Sequence, residues 1–142
     1  MPASEDVDGI WNRALGPAGA GERAGDAALR AVLAFHNMAM NGGVLHALQQ
    51  TLPGELVAAR EGYRSYGFVE IDKLLAMRID EDADPDDLDD LEEELDDAYG
   101  DAIASDETLL RAVEAHIHSV PDSYAPVYQT QAVQFIVMHH AY

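Results

Sequence analysis

The side chains with the most chemistry to offer lie between Asp80 and Asp97. Thirteen of these eighteen residues are acids and none is Lys or Arg: Asp80, Glu81, Asp82, Asp84, Asp86, Asp87, Asp89, Asp90, Glu92, Glu93, Glu94, Asp96 and Asp97. Clustered carboxylates can coordinate a cation, exchange protons with a substrate, or attract a basic partner. Calcium is the first test. Asp80, Asp82, Asp84 and Asp86 alternate as EF-hand ligands do, but Pro85 stands where that loop needs glycine and Leu91 where it needs the final Glu. Starting at Asp82 places Glu93 correctly but puts Asp87 at the glycine position. The loop signature fails in both registers, leaving only weak, nonspecific divalent binding. Acid–base pairs are so numerous that no one pair stands out.

Attraction of a basic partner fits the pattern better. Asp86 to Asp97 holds nine acids in twelve residues. At a helical rise of about 1.5 Å per residue, that is one charge per roughly 2 Å. Duplex DNA carries one per about 1.7 Å of axis. Like-charge pairs such as Asp86–Asp90, Asp89–Glu93 and Asp90–Glu94 each cost about 0.2–0.5 kcal/mol on a helix. A solvated face tolerates that cost for solubility, whereas a docking basic partner offsets it.

The histidines suggest less. His36 lies in the middle of an apolar helical pattern, where a hydrogen-bonded core imidazole is the expected role. His116 and His118 are two apart and point to different helix faces, and His139-His140 lies near the chain end. No zinc spacing occurs, and no GxSxG, P-loop or dinucleotide fingerprint is present. Asn41-Gly42-Gly43 suits a sharp helix junction, with Asn41 bonding free backbone groups, or a small binding notch. A DNA-reading helix-turn-helix is excluded, because the following VLHALQQ offers no cation to phosphate.

The elements that must carry these groups are helical. A first helix surrounds Ile10, Trp11, Ala14 and Leu15 and stops at GPAGAG. Leu29, Val32, Leu33, His36, Ala39 and Met40 then mark one apolar face, with Asp26 near its positive end and Asn41-Gly42-Gly43 closing it. VLHALQQ is a short helix in a new direction. PGELVAAREGYRSYG follows, with Pro53 suited to its first turn and Gly67 to its end. FVEIDKLLAMRI presents Phe68, Ile71, Leu74 and Leu75 on one side. The acidic helix takes Asp84 as its cap and Pro85 as its first residue. It runs to Tyr99, ends at Gly100, and is held by Leu88, Leu91, Leu95 and Tyr99. SDETLLRAVEAHIHSV turns Leu109, Leu110, Val113 and Ile117 inward and stops before Pro121. Residues 127–142 fit a helix or a strand; AVQFIVM is apolar enough to pack on the core or across a dimer. The expected fold is all-α, one compact bundle of about six to eight helices over 1–142 with an exposed acidic helix.

Composition sets outer limits. The chain has 142 residues, 48% of them apolar, enough for one domain with its own core. It contains no cysteine, which removes disulfides and thiolate zinc sites. With 27 acids against 8 bases the net charge is −19, so nucleic acid and anionic membranes are poor partners. A uniformly acidic composition, as in proteins of salt-loving organisms, is an incomplete account: the residues outside 80–97 hold 14 acids and 8 bases. The N-terminus lacks signal-peptide features and no apolar run reaches about 20 residues, so the expected location is cytoplasmic.

Several stretches together resemble one family. AFHNMAMNGGVLHALQQ, AAREGYRSYGFVEIDKLLA, LDDAYG and HIHSVPDSYAP, spanning roughly Asp26 to Pro126, are similar to bacterial proteins of the DNA mimic protein family. The shared features are the Asn-Gly-Gly turn after a helix, the aromatic-containing helix ending in Gly, and a later Leu-Asp-Asp-x-Tyr. The resemblance implies an all-helical fold, a homodimer, and an acidic surface that occupies a DNA-binding protein. The expectation is therefore a non-enzymatic interaction protein without cofactor or metal, presenting its acidic segment to a basic protein such as a DNA-binding regulator. Two alternatives stay open: an immunity-like protein neutralising a basic toxin, and a small-molecule binder or enzyme with a pocket near His36.

Overall fold

The computed structural model describes residues 4–127 apart from 18 and 20. Seven α-helices hold most of the described residues, with no strand among them. They are α1 (Ser4–Ala14), α2 (Ala24–Gly42), α3 (Val44–Gln50), α4 (Pro53–Ser65), α5 (Val69–Leu75), α6 (Pro85–Ala102) and α7 (Asp106–Ser119). A 3-10 turn, Pro121–Ser123, follows. The expected all-helical bundle is what forms. The ambiguous C-terminal segment beyond Val127, with His139 and His140, lies outside the described residues.

The long helix α2 is the hub, packed against α1, α3 and α4. Leu29, Val32, Leu33, His36 and Ala39 are buried as the spacing predicts, and Phe35 joins them. Met40 does not; it is more than half exposed at the end of the helix. The α2–α4 contact is close enough to require glycine at position 62. A Cβ there would lie 2.5 Å from Val32 Cγ2 and 2.9 Å from the Ala28 carbonyl oxygen. Beneath α4, the rings of Phe35, Tyr63 and Phe68 meet edge to face, with centroids 6.1 and 6.4 Å apart.

The Asn-Gly-Gly turn works through its last glycine. Helix α2 continues through Asn41 and Gly42, and Gly43 then adopts φ 93°, where a side chain would be strained. Its N–H donates to the Ala39 carbonyl and closes α2. Pro53 opens α4 and Gly67, at φ 89°, follows its end, both as expected. Helix α6 differs at its far end: it passes through Gly100 and stops at Ala102, because Ile103 is buried in the core and draws the chain inward.

Candidate functional site

Helix α6 starts as its sequence demands. The Asp84 carboxylate accepts from the Asp86 N–H at 3.4 Å, Pro85 takes the first position, and Asp86 and Asp87 sit at the positive helix end. All thirteen acids from Asp80 to Asp97 are exposed. Among the described residues, no Lys or Arg lies within ion-pair distance of any of them. Asp89, Glu92, Glu93, Asp96 and Asp97 line one shallow, wholly acidic depression. No group of three His, Asp or Glu among the described residues is arranged to enclose a metal ion.

The apolar seam of α6 holds the helix unevenly. Leu95 and Tyr99 are buried and Leu91 packs half-buried against the core, whereas Leu88 is half-buried without joining it. Polar contacts secure the same end. Asp96 reaches across to α3 and accepts from the Val44 N–H at 2.8 Å. That bond corrects two expectations. Asn41 was the expected cap of the helix junction, yet no hydrogen bond from its side chain forms among the described residues, and Asp96 of another helix supplies the cap. Asp96 also cannot be grouped with the free acids. Its oxygens would lie 3.3 and 3.4 Å from a Cβ on Gly43, so they fill the notch that the turn could have offered a ligand.

Tyr99 leads into a buried polar chain. Its hydroxyl lies 2.7 Å from the Tyr63 hydroxyl and 2.7 Å from His36 Nδ1, and His36 Nε2 lies 2.7 Å from Asp106 Oδ1. Burial pushes both tyrosines well above their ordinary range, so their hydroxyls remain protonated. In the neutral imidazole, Nε2–H must donate to the Asp106 carboxylate, and Nδ1 must then accept from Tyr99. Four elements, α2, α4, α6 and α7, meet at this chain. His36 is 2% exposed and both ring nitrogens are engaged, which leaves it no group for a ligand. The core imidazole is the observed role.

A second chain repeats the design just past the end of α4. The Tyr66 hydroxyl lies 3.0 Å from that of Tyr124, which lies 2.7 Å from His116 Nδ1. Burial raises Tyr66, pushes Tyr124 up to about 12, and lowers His116, favouring the neutral ring. Nearby, the buried Asp26 binds Arg13 at 2.6 Å and accepts from the N–H groups of Arg23 and Ala125, tying α1, α2 and the segment after α7 together. These partners are invisible to periodicity, because each bond joins residues far apart in sequence. The one local signal is Asp26 three residues after Arg23, a spacing suited to a helix cap.

Set against known protein families, curated proteins and solved structures, the chain matches none.

Proposed function

We propose that this protein is a non-enzymatic interaction module that offers the outer face of α6 to the basic surface of a nucleic-acid-binding protein, in the place duplex DNA would take. One observation carries the reading: the carboxylates from Asp80 to Asp97 are exposed and, among the described residues, form no ion pair with Lys or Arg. Elsewhere Glu22, Asp26, Glu70, Asp72 and Glu107 each have an Arg or Lys partner. A stretch at nearly the linear charge density of DNA, left without counter-charge, is suited to bind a surface built to neutralise phosphates. The Asn-Gly-Gly and Leu-Asp-Asp-x-Tyr stretches, which resemble those of the DNA mimic protein family, point the same way. Of the thirteen acids, Asp96 belongs to the scaffold and the other twelve form the contact surface.

The test is competition. A partner recovered on the immobilised protein at low salt should dissociate steeply as salt rises, and duplex DNA should displace it. A variant with amides at Asp86, Asp87, Asp89, Asp90, Glu93 and Asp97 should stay folded and lose binding. A partner that holds protein and DNA together, or binds the amide variant equally well, ends the proposal. A partner that is a basic toxin indifferent to DNA would favour the immunity-like reading.

We further propose that two copies associate through the α2–α4 face. Residues 24–68 hold three acids and three bases, so this block is neutral in a chain of charge −19. It carries a groove of about 280 Å³ floored by Ala27, Ala31, Ala34 and Ala58, beside Leu52, which is 65% exposed. Two such molecules approach with least repulsion there. Sedimentation of the Leu52→Glu variant should show a shift to monomer; a parent chain that is already monomeric at micromolar concentration removes this assignment.

A further inference from the structure

Helix α6 is continuous in hydrogen bonding but divided in support. From Leu95 to Ala102 it is fastened by the buried Leu95 and Tyr99, by the Asp96 bond to Val44, and by the hydroxyl chain through Tyr99. From Pro85 to Glu94 no side chain is buried, and only Leu91 touches the core, half-buried. The segment before it, Ala76–Asp84, is exposed apart from the half-buried Ile79 and Ala83. The outer half therefore has much less buried contact than the anchored end.

These ten residues have only the half-buried Leu91 against the core, so little packing adds to the marginal stability that a helix has by itself in water. The charges oppose this half further. The cap and the helix end favour Asp84, Asp86 and Asp87, but that benefit fades after the first turn. Asp89, Asp90, Glu92, Glu93 and Glu94 lie beyond it, with like-charge neighbours three and four residues away and no cation among the described residues to relieve them.

We propose that the Pro85–Glu94 half of α6 is a charge-gated arm: it opens locally when its carboxylates are unscreened and closes into helix when cationic groups line it. The anchored half stays folded in both states. Its use in partner binding rests on the reading of α6 as the partner-facing helix. Docking of a basic surface would then complete the helix, making association a coupled folding event that a partner with sparse positive charge could not drive.

Hydrogen exchange on the whole protein tests this without any natural partner. At about 10 mM salt, where the Debye length is roughly 30 Å, amides of 89–94 should exchange at least about tenfold faster than those of 95–102. Tetralysine should slow the outer amides by roughly three- to tenfold, the effect of relieving three like-charge pairs, and leave the anchored ones unchanged. NaCl at about 1 M, with a Debye length of roughly 3 Å, should act likewise. The variant Asp89→Asn, Asp90→Asn, Glu93→Gln, Glu94→Gln should show the slowed exchange at low salt and no response to tetralysine. Equal exchange in the two halves at low salt overturns the proposal, as does a fast outer half that ignores both tetralysine and NaCl. Neither result bears on DNA competition for a partner, so the two readings fail separately.

Discussion

Carboxylates do opposite work in two regions of this protein. Along the outer face of α6 they stand in water with no ion pair to a Lys or Arg among the described residues, and like-charge neighbours on a helix repel one another. Elsewhere in the fold, three of them are joints. Asp26 binds a guanidinium and two backbone N–H groups, Asp72 holds both Arg60 and Arg64, and Asp106 accepts a hydrogen bond from a buried imidazole. Residue type does not separate the two; the presence of a complementary group does. Asp96 shows this within α6, since one turn of helix divides it from the free Glu92 while its oxygen closes α3.

The sharpest way to break the contrast is to remove a joint. Asp26→Ala strands a partly buried Arg13 and two backbone donors, and should cost about 3–5 kcal/mol. At roughly 2–4 °C per kcal/mol, the midpoint of thermal unfolding should fall by about 10 °C. A loss below about 1 kcal/mol in chemical denaturation would place Asp26 with the free acids.

Next in size is Tyr99→Phe, which keeps the ring but takes the central hydroxyl from between Tyr63 and His36. Leaving buried polar groups unpaired should cost about 1–3 kcal/mol. The double variant with Tyr63→Phe should lose less than the two single losses added together, because the two hydroxyls satisfy each other. Full additivity would show that the chain does not act as a unit.

Removing charge from the free region should act with the opposite sign. Asp89→Asn, Asp90→Asn, Glu93→Gln and Glu94→Gln together should stabilise the protein by about 1 kcal/mol at low ionic strength, with the gain shrinking as salt rises. Thermal unfolding with and without salt measures it. A lower midpoint would mean that these carboxylates are paired after all.

The smallest expected effect is a pH slope from His116. Burial lowers its folded pKa below the unfolded value of about 6.5, so the unfolded chain binds the proton first on acidification. Its contribution to stability is complete above about pH 6.5 and is lost as pH falls toward the lower folded value. His116→Gln should flatten that part of the profile relative to the parent chain; parallel profiles would remove His116 from the account.

Much of the architecture was written locally. Apolar spacing at three and four residues located α2, α6 and α7, and Asp84-Pro85 and Pro53 marked helix starts, because caps and amphipathic faces are set by neighbours in the chain. Errors gathered where a distant contact outweighed a local signal. Gly100 reads as a stop, yet Ile103 sinks into the core and carries the helix past it. Met40 continues the apolar stripe of α2, yet after the turn at Gly43 no element among the described residues covers it. Asn41 looked like the cap, but Asp96 arrives from fifty residues away.

The same division holds for the candidate site. By itself the sequence determined that the molecule is helical, that its negative charge is concentrated between Asp80 and Asp97, and that a helix there must leave most of those acids outward, since an apolar seam at Leu88, Leu91, Leu95 and Tyr99 takes the inner positions. Only the tertiary structure decided which polar groups meet. Tyr63, Tyr99, His36 and Asp106 come from four helices, and nothing in their local spacing directs one to another. A hydrogen bond requires its atoms within about 3 Å, and for residues distant in the chain only the assembled packing of helices sets that distance.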